Sequence, residues 1–358
     1  MIDKIVGVIR RASDHHRLHR GLPVWRQLLE MLYLKLFYRL GPGSYFRFRL
    51  WRADLSLAEK TQYWHEKRYY RFVNSVNPLR YRIIARSKVV AKALLKFYGV
   101  RNTRYIGLLY PGGTYFRPDG GSTTVQGLAE ELLRNSDLAT VCLKPVEGSG
   151  GEGFRVLDIQ RQHGLQLTQR GDTSGSFGID KLCERLDEPD GYIVEQYLEQ
   201  HPVLAAFNPS SLNTLRVWLV IDKSGAPSIR GVFLRVGRAG ALVDNTSSGG
   251  LCVAMDGASF VTLQGIALDG KGGTFTEHPD SGAALCGVQI PFREETIVLC
   301  HEVIRALSAN HFVGLDIGIT TTGPVVVEFN LAPSPEGAGV IGRGHGELLE
   351  DVMCSRWG

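Results

Sequence analysis

The chain has 358 residues of ordinary globular composition, with 44% hydrophobic and 22% charged side chains and a formal net charge of +5. Such a chain is neither disordered nor fibrous, and it is long enough to bury a large core in two or three lobes. No apolar run reaches the length of a membrane span, the run from Ile5 to Ile9 is too short for a signal peptide, and the six cysteines form no C-x-x-C pair, so we expect a cytoplasmic protein with reduced thiols.

Residues 1–82 are predicted to form a basic, mainly helical region. Residues 1–100 contain about 21 Lys and Arg against about 6 Asp and Glu, a local excess of roughly +15. Within this region, residues 24–40 have the pattern of an amphipathic helix. Its apolar stripe is predicted to consist of Leu28, Leu29, Leu32 and Leu36, with Arg26, Lys35 and Arg39 on other faces.

Three roles are open for this basic helix. It packs against catalytic lobes, which we favour, or it lies on an anionic membrane surface, or it guides an acidic substrate such as a uronate polymer or nucleic acid. Nucleic acid is the weakest of these readings, because the Tyr and Arg residues of 63–72 are equally well explained as one mixed helix face. No feature of the sequence determines the oligomeric state.

Residues 138–157 predict a phosphate-binding hairpin. A buried strand ends at Lys144, a glycine-dense loop follows, and a second strand starts near Phe154. Glycine lets backbone amides approach phosphate oxygens, and a lysine at the strand end adds a point charge. A dinucleotide-binding turn would continue into a helix, and a kinase loop would have its lysine downstream, so neither fits. The candidate nucleotide contacts are Gly148, Ser149, Gly150, Gly151 and Gly153, and a plain flexible turn is the alternative.

Residues 314–337 predict a second hairpin, which carries oxygen ligands. Asp316 lies in its first apolar run, and Glu328 and Asn330 lie two residues apart in its second. Side chains two apart on a strand share a face, and a hairpin can bring the facing strand beside them. Two carboxylates and an amide oxygen suit Mg²⁺ better than Zn²⁺, and Mg²⁺ usually takes further ligands from phosphates. The alternative is isolated strand polar groups that face water.

In this order the motifs resemble the ATP-grasp superfamily. The resemblance implies that Lys88, on a helix at 84–100, and Lys144 bind phosphates, and that Arg216 lies near them. It also implies an adenine-facing hinge at 192–198, in which the purine is lined by Glu195, Tyr197 and Leu198.

The later segments resemble particular branches of that superfamily. Residues 234–251, with Arg235 and Asn245, and the spacing N-x-x-P-x-x-E-G are similar to ligases that add glutamate to a ribosomal protein tail. Leu315 stands where D-alanine–D-alanine ligases keep an arginine, which argues against that branch. The closest resemblance is to the sugar-transfer-associated ATP-grasp group, over about residues 45–350.

The resemblance implies an α+β ATP-grasp fold, in which two α+β lobes with antiparallel sheets grip ATP. The helical N-terminal region (1–82) would precede a small lobe (83–190), which contains the lysine helix, the glycine-rich lid and a helix at 179–186. The large lobe (191–358) would contain the hinge, the metal strands and the C-terminal segment.

The function implied is an ATP-dependent carboxylate–amine ligase with ATP and Mg²⁺ as cofactors, in polysaccharide or secondary-metabolite biosynthesis. An acyl phosphate would form on a small or sugar-linked carboxylate, and an amine would then attack it. The implied catalytic residues are Arg216, Arg235 and Lys144, and the metal ligands are Asp316, Glu328 and Asn330. A kinase that phosphorylates a hydroxyl and a non-catalytic nucleotide-binding scaffold are the alternatives.

Overall fold

The computed structural model describes residues 2–148, 150–162, 164–268 and 273–353, so the predicted nucleotide contact Ser149 lies outside the described residues. No helix in the described part of the chain is long and apolar enough to cross a membrane. The helices are α1 (Ile2–His19), α2 (Val24–Tyr38), α3 (Pro42–Arg47), α4 (Leu57–Thr61), α5 (Glu66–Val76), α6 (Ile83–Arg86), α7 (Lys88–Phe97), α8 (Val125–Arg134), α9 (Pro202–Ala205), α10 (Arg293–Ala306), α11 (Gly337–Ile341) and α12 (His345–Leu349).

Two antiparallel sheets form the body of the protein, as the predicted α+β fold requires. The larger sheet has the strand order β3-β2-β1-β8-β4-β5-β6-β7, and the smaller has the order β13-β12-β11-β10-β9-β14-β15. The strands are β1 (Tyr105–Leu109), β2 (Thr114–Phe116), β3 (Ser122–Thr124), β4 (Thr140–Pro145), β5 (Arg155–Gln160), β6 (Gln166–Gln169), β7 (Ser176–Gly178), β8 (Tyr192–Gln196), β9 (Thr214–Ile221), β10 (Pro227–Val236), β11 (Leu251–Met255), β12 (Thr262–Ile266), β13 (Thr274–Phe275), β14 (Phe312–Thr320) and β15 (Gly323–Asn330).

The small lobe is built on the eight-stranded sheet and includes the hinge strand β8. This strand pairs with β1 on one side and with β4 on the other, so the lobe extends past the boundary predicted at residue 190. The helix predicted at 179–186 is wrong. Two 3₁₀ turns, Ile179–Lys181 and Cys183–Arg185, occupy the segment, because eight residues offer few bonds to repay the cost of starting an α-helix.

The central strand β9 explains how the seven-stranded sheet divides its two faces. Successive side chains of a strand point to opposite faces. Leu215 and Val217 join the core that contains α10, whereas Trp218 joins the core of the N-terminal helices. Arg216 is on the same face as Trp218. The N-terminal helices therefore cover one part of this face, and the remainder is left for a site.

The N-terminal region is helical, as predicted, and packs on the large lobe. The Tyr69 hydroxyl donates to the Pro333 carbonyl at 2.8 Å, and the Asn77 amide donates to the Leu331 carbonyl at 2.7 Å. His345 of α12 is fully buried in the same seam. It accepts a hydrogen bond from the Trp64 amide at 3.1 Å and donates one to the Pro335 carbonyl at 3.0 Å. These contacts make the N-terminal helices one packed body with the large lobe.

The apolar stripe predicted on α2 does not form the buried face of this helix. Of the predicted apolar stripe, Leu29, Leu32 and Leu36 are exposed and Leu28 is half-buried. The buried face instead consists of Gln27, Glu30, Met31 and Leu34. Polar partners on neighbouring segments decide this orientation, because Glu30 and Gln27 find hydrogen bonds inside that an isolated helix cannot supply.

Candidate functional site

A cavity of about 440 Å³ lies between the two sheets. This volume is within the usual range of small-molecule sites. Strands β4, β9, β10, β14 and β15, the glycine-rich loop and the N-terminus of α7 supply its walls. The predicted site residues that line it are Lys88, Lys144, Gly148, Gly150, Gly151, Tyr197, Leu198, Arg216, Arg235, Asn245, Asp316, Glu328 and Asn330.

One wall holds a lysine cluster, formed by Lys88, Lys92, Lys144 and Glu195. The Glu195 carboxylate is fully buried, and its two oxygens lie 2.6 Å from Lys92 Nζ and 2.8 Å from Lys144 Nζ. Burial alone would lower the pKa of Lys144, but the Glu195 carboxylate outweighs this effect and raises that pKa above its ordinary value. The raised pKa keeps the ammonium group of Lys144 charged at neutral pH.

Two members of the lysine cluster differ from their sequence predictions. Glu195 is not among the residues that line the cavity, so in place of the predicted adenine contact it holds Lys144 from behind the wall. Lys92 was missed altogether. It follows Lys88 by one turn of α7, and residues four apart share a helix face, so the spacing was a signal that could have found it.

Lys88 connects the lysine cluster to the glycine-rich loop. Ser87 caps α7 by accepting from the Val90 amide, which starts the helix at Lys88. The Lys88 backbone amide donates to the Val146 carbonyl at 2.9 Å, and its Nζ donates to the Gly148 carbonyl at 3.1 Å. Burial lowers the pKa of this lysine from its ordinary value. Its charge is thus directed at the loop that the sequence assigns to phosphates.

The glycine-rich loop reaches the opposite lobe. A Cβ atom at Gly151 would lie 2.9 Å from Val243 Cγ1 and 2.9 Å from Asn245 Nδ2, and the φ of this residue is +78°. A Cβ atom at Gly153, where φ is +68°, would lie 2.7 Å from the Pro145 ring. Only glycine combines a positive φ with the lack of a Cβ atom that these two positions require. The loop therefore lies across the mouth of the cavity between the lobes.

The opposite wall holds an arginine cluster, formed by Arg216, Arg235, Asp244, Asp316 and Glu328. The strand register places Asp316 directly opposite Arg216 on β9 and opposite Glu328 on β15, which confirms the predicted hairpin geometry. A bulge between Asp316 and Ile317 interrupts the register, and both Val327 and Glu328 line the cavity.

Asp316 is held by both arginines. Arg216 donates from Nε to Oδ1 at 2.5 Å and from Nη2 to Oδ2 at 2.9 Å, and Arg235 donates from Nη1 to Oδ2 at 3.0 Å. Burial would raise the pKa of Asp316, but the two guanidinium groups outweigh it and lower that pKa. Asp316 is consequently ionised and fixed in orientation.

More of the guanidinium N–H groups of Arg235 than of Arg216 have partners within the protein. Its Nη2 lies 2.8 Å from Asp244 Oδ1 and also donates to Asn245 Oδ1. Burial would lower the pKa of Arg235, but Asp244 and Asp316 raise it. Arg216 retains an Nη1 group without a partner among the described residues, so it is the arginine available to a ligand.

Glu328 and Asn330 supply the oxygen atoms that are free to bind a cation. Neither side chain has a hydrogen bond or ion pair within the described part of the chain, and both line the cavity. Burial and then the Asp316 charge raise the pKa of Glu328. No group of three His, Cys, Asp or Glu side chains among the described residues could hold a metal by itself. Carboxylate and amide oxygens are the kind of ligand that Mg²⁺ takes together with phosphate and water oxygens.

Further lining residues were not among the predicted site residues. Tyr70 of α5 and the segment 332–334 form the part of the cavity next to the N-terminal helices. Cys142 of β4 also lines it, and burial raises the pKa of this thiol to about 12. Since a protonated thiol is a poor nucleophile, Cys142 contributes shape to the cavity.

Comparisons with known proteins place these features in a family. The profile of the sugar-transfer associated ATP-grasp family matches residues 67–346. No curated protein matches the sequence.

Solved structures that resemble the chain include ligases and synthetases. N5-carboxyaminoimidazole ribonucleotide synthetase from Thermotoga maritima is 13% identical, with a TM-score of 0.42 over 78% of this chain and 53% of that chain. The RimK domain protein ATP-grasp from Sphaerobacter thermophilus is 13% identical, with a TM-score of 0.39 over 75% and 68%. D-alanine–D-alanine ligase from Bacillus anthracis is 14% identical, with a TM-score of 0.40 over 75% and 66%. The chain thus spans about half to two thirds of these structures.

Proposed function

The chain belongs to the sugar-transfer associated ATP-grasp family, and we propose that it is an ATP-dependent ligase that joins a carboxylate to an amine through an acyl phosphate. The observation that carries the proposal is the cavity itself. It has the lysine cluster and a glycine-rich loop on one side, and the arginine cluster with free oxygen ligands on the other. Such a cavity can hold a nucleoside triphosphate and stabilise charge on its terminal phosphoryl group.

The lysine cluster and the loop bind the phosphates in this proposal. Lys144 and Lys88 supply two ammonium groups, and the backbone amides of the loop add hydrogen bonds to the phosphate oxygens. Tyr197 and Leu198, which follow the hinge strand β8, pack against the purine. Because Glu195 holds Lys144 rigidly, its charge needs little reorganisation when the terminal phosphoryl group moves.

Glu328 and Asn330 would hold Mg²⁺ together with Asp316, their neighbour on the same sheet face. A Mg²⁺ ion held there would offset the negative charge that builds on the phosphates during transfer. Arg235 positions Asp316, and Asp244 positions Arg235. Asp244 thus orients Arg235, and Arg235 in turn orients Asp316.

The chemical steps need no protein nucleophile. A carboxylate oxygen of the substrate attacks the γ-phosphorus, and ADP leaves. The amine nitrogen then attacks the acyl carbon, the amide bond forms, and phosphate leaves with the electron pair of the broken C–O bond. Arg216, whose Nη1 is free, pairs with the oxygens of the acyl phosphate. The loop over the cavity mouth excludes water from this intermediate.

Trapping with hydroxylamine tests the reaction class. The protein is incubated with ATP, Mg²⁺ and hydroxylamine, and with the small-molecule fraction of a cell extract as the source of carboxylates. A ligase yields ADP and a hydroxamate, which mass spectrometry identifies, and the Lys144→Ala variant yields neither. A stable phosphate ester without a hydroxamate would establish a hydroxyl kinase instead. Nucleotide binding without any ATP consumption would indicate a scaffold.

A further inference from the structure

Helix α2 exposes an apolar stripe to solvent. Trp25, Leu36 and Phe37 are 65%, 67% and 70% exposed. At 3.6 residues per turn, the six exposed members of the stripe fall within an arc of roughly 140°. These members, hereafter the α2 stripe, are Trp25, Leu29, Leu32, Tyr33, Leu36 and Phe37.

The opposite face of α2 is polar and is held inside the protein. Glu30 Oε2 accepts from Lys60 Nζ at 2.7 Å and from the Tyr45 hydroxyl at 3.0 Å. Gln27 Nε2 donates to the Ala12 carbonyl at 3.0 Å. Turning α2 over would bury its stripe, but it would leave Lys60 buried without a counter-ion, which costs several kcal/mol. The exposure of the stripe is therefore imposed by specific bonds.

Helix α1 adds a second apolar surface beside α2. Ile5, Val6 and Ile9 are all exposed, and they lie within an arc of roughly 100° on α1. The buried face of α1 carries Ala12 and His15, and the Gln27 bond to the Ala12 carbonyl ties the two helices together. Single exposed apolar residues are common, but a full helix stripe with aromatic members marks an interaction surface.

The charge around this surface is positive. Residues 1–40 contain eight Lys and Arg against three Asp and Glu, and one of those three, Glu30, is buried and paired. On and just after α2, Lys35 and Arg39 flank one edge of the stripe, whereas Arg26 lies among the members at the other edge, with its Nε 3.4 Å from Glu30 Oε1. The exposed cations of these helices are Lys4, Arg10, Arg11, Arg17, Arg20, Arg26, Lys35 and Arg39.

We propose that α1 and α2 dock on the surface of an anionic phospholipid bilayer. In this arrangement α2 lies in the plane of the interface, with the α2 stripe among the acyl chains and Trp25 and Tyr33 at headgroup level. Lys35 and Arg39 extend outward to the lipid phosphates, as long cationic side chains do at such interfaces. Docking of two copies through the same face would place their cations opposite each other, which disfavours self-association.

Flotation of the full-length protein with lipid vesicles tests this proposal. Vesicles of neutral phosphatidylcholine are compared with vesicles that contain phosphatidylglycerol in addition. We expect at least about tenfold stronger partitioning to the anionic vesicles, weakened by added salt because exposed charges are screened.

Two sets of substitutions separate the apolar and the charged contributions. Leu29→Gln, Leu32→Gln and Leu36→Gln together should reduce partitioning about tenfold or more, and Arg10→Glu, Arg11→Glu and Lys35→Glu together should do the same. All six side chains are exposed, so the unfolding temperature should be unchanged. The matched control is Leu263→Gln with Val298→Gln, two exposed apolar residues on β12 and α10, which should leave partitioning at the wild-type level.

Three results would overturn the proposal. The first is no partitioning of the wild-type protein to anionic vesicles. The second is equal partitioning to neutral vesicles, because the charge argument would then be wrong. The third is a dimer, seen by sedimentation, that the three leucine substitutions dissociate while vesicle binding is absent, because a second copy would then cover the α2 stripe.

Discussion

The two walls of the cavity each contain a buried carboxylate that is paired with two basic side chains, but the charge around the two pairs differs. In the lysine cluster one buried carboxylate, Glu195, holds two lysines, and in the arginine cluster one buried carboxylate, Asp316, is held by two arginines. Glu195 has no other neighbouring carboxylate in its cluster, whereas Asp316 is accompanied by Asp244 and Glu328. The first wall thus carries excess positive charge and the second carries excess oxygen ligands.

This difference indicates how each wall would contact a bound nucleotide. The phosphate chain needs the cations of the lysine wall on one side and a divalent ion, held by the oxygen ligands of the other wall, on the other side. Either wall alone would leave part of the phosphate charge uncompensated. It also predicts that the clusters tolerate damage differently. Loss of the Glu195 carboxylate leaves Lys92 and Lys144 without a counter-charge, but loss of the Asp316 carboxylate leaves Arg235 still paired with Asp244.

The largest effect is expected for Glu195→Gln. This change leaves Lys92 and Lys144 close together in a buried site without a counter-charge, which should cost about 3–5 kcal/mol of unfolding free energy. Chemical denaturation measures it. Asp316→Asn is the matched comparison and should cost clearly less, because Asp244 remains. Equal losses for the two variants would show that the clusters do not differ in the way described. The double variant Glu195→Gln, Lys92→Met should recover part of the loss.

Glu328→Gln should separate activity from stability. Turnover is expected to fall about 10²-fold or more, equivalent to about 2.7 kcal/mol, because an oxygen ligand loses its charge. Stability at neutral pH should be unchanged or higher. Burial and Asp316 raise the pKa of Glu328, so its ionised form is disfavoured in the folded protein, and glutamine removes that penalty. Steady-state kinetics and thermal unfolding on one preparation provide the check, and near-normal turnover would remove Glu328 from the site.

Mild acid should not break the ion pairs of Glu195 or Asp316 first. The pKa values of both Glu195 and Asp316 are lowered, so the two carboxylates stay ionised as the pH falls toward 4. His345, in the seam with the N-terminal helices, has a pKa lowered by burial to about 4. Its neutral form is favoured in the folded protein, so stability is complete above about pH 6.5 and declines as the pH falls to about 4.

The size of this acid effect is a few kcal/mol at most, since one pKa unit corresponds to about 1.4 kcal/mol. Denaturation curves between pH 7 and pH 4 measure it, and His345→Gln should make the slope shallower. His15, whose pKa is also lowered to about 4 by burial, contributes in the same direction and should account for the slope that remains. If substitution of His345 and substitution of His15 both left the slope unchanged, the acid sensitivity would lie in the walls of the cavity.

The smallest effect concerns the loop between the walls. Amide hydrogen exchange at Gly148, Gly150 and Gly151 should slow severalfold when a non-hydrolysable ATP analogue and Mg²⁺ are added, because the amides then bond to phosphates. The Gly120 turn, between β2 and β3 and away from the cavity lining, is the internal reference. Equal exchange with and without nucleotide would reduce the loop to a plain turn.

Local patterns predicted the elements that depend on neighbouring residues. The alternation at 314–330 predicted that Asp316, Glu328 and Asn330 share one sheet face, and the register confirms that Asp316 and Glu328 are opposite each other. The glycine-dense loop after Lys144 and the helical character of the first 82 residues were equally clear. Roles assigned to individual site residues, including the metal ligands, stay predictions.

Partners distant in the sequence could not be predicted in the same way. No pattern in the sequence around Glu195 predicts that its side chain pairs with Lys92 and Lys144 and does not line the cavity. Asp316 and Arg216 are 100 residues apart, and only the pairing of β9 with β14 makes them an ion pair. An isolated pattern shows which residues share a face, but it does not show what covers that face.

By itself, then, the sequence determined the strands of the two hairpins, the helical character of the N-terminal region, the position of the glycine-rich loop and the family to which these belong. Tertiary structure alone decided which carboxylate holds which cation and which face of α2 is buried. The apolar residues of α2 predicted a stripe but not which way it faces, and the bonds from Lys60 and Tyr45 to Glu30 turn it outward. The physical reason is that an unpaired buried charge costs more free energy than an exposed leucine, and the pairing depends on parts of the chain that meet only on folding.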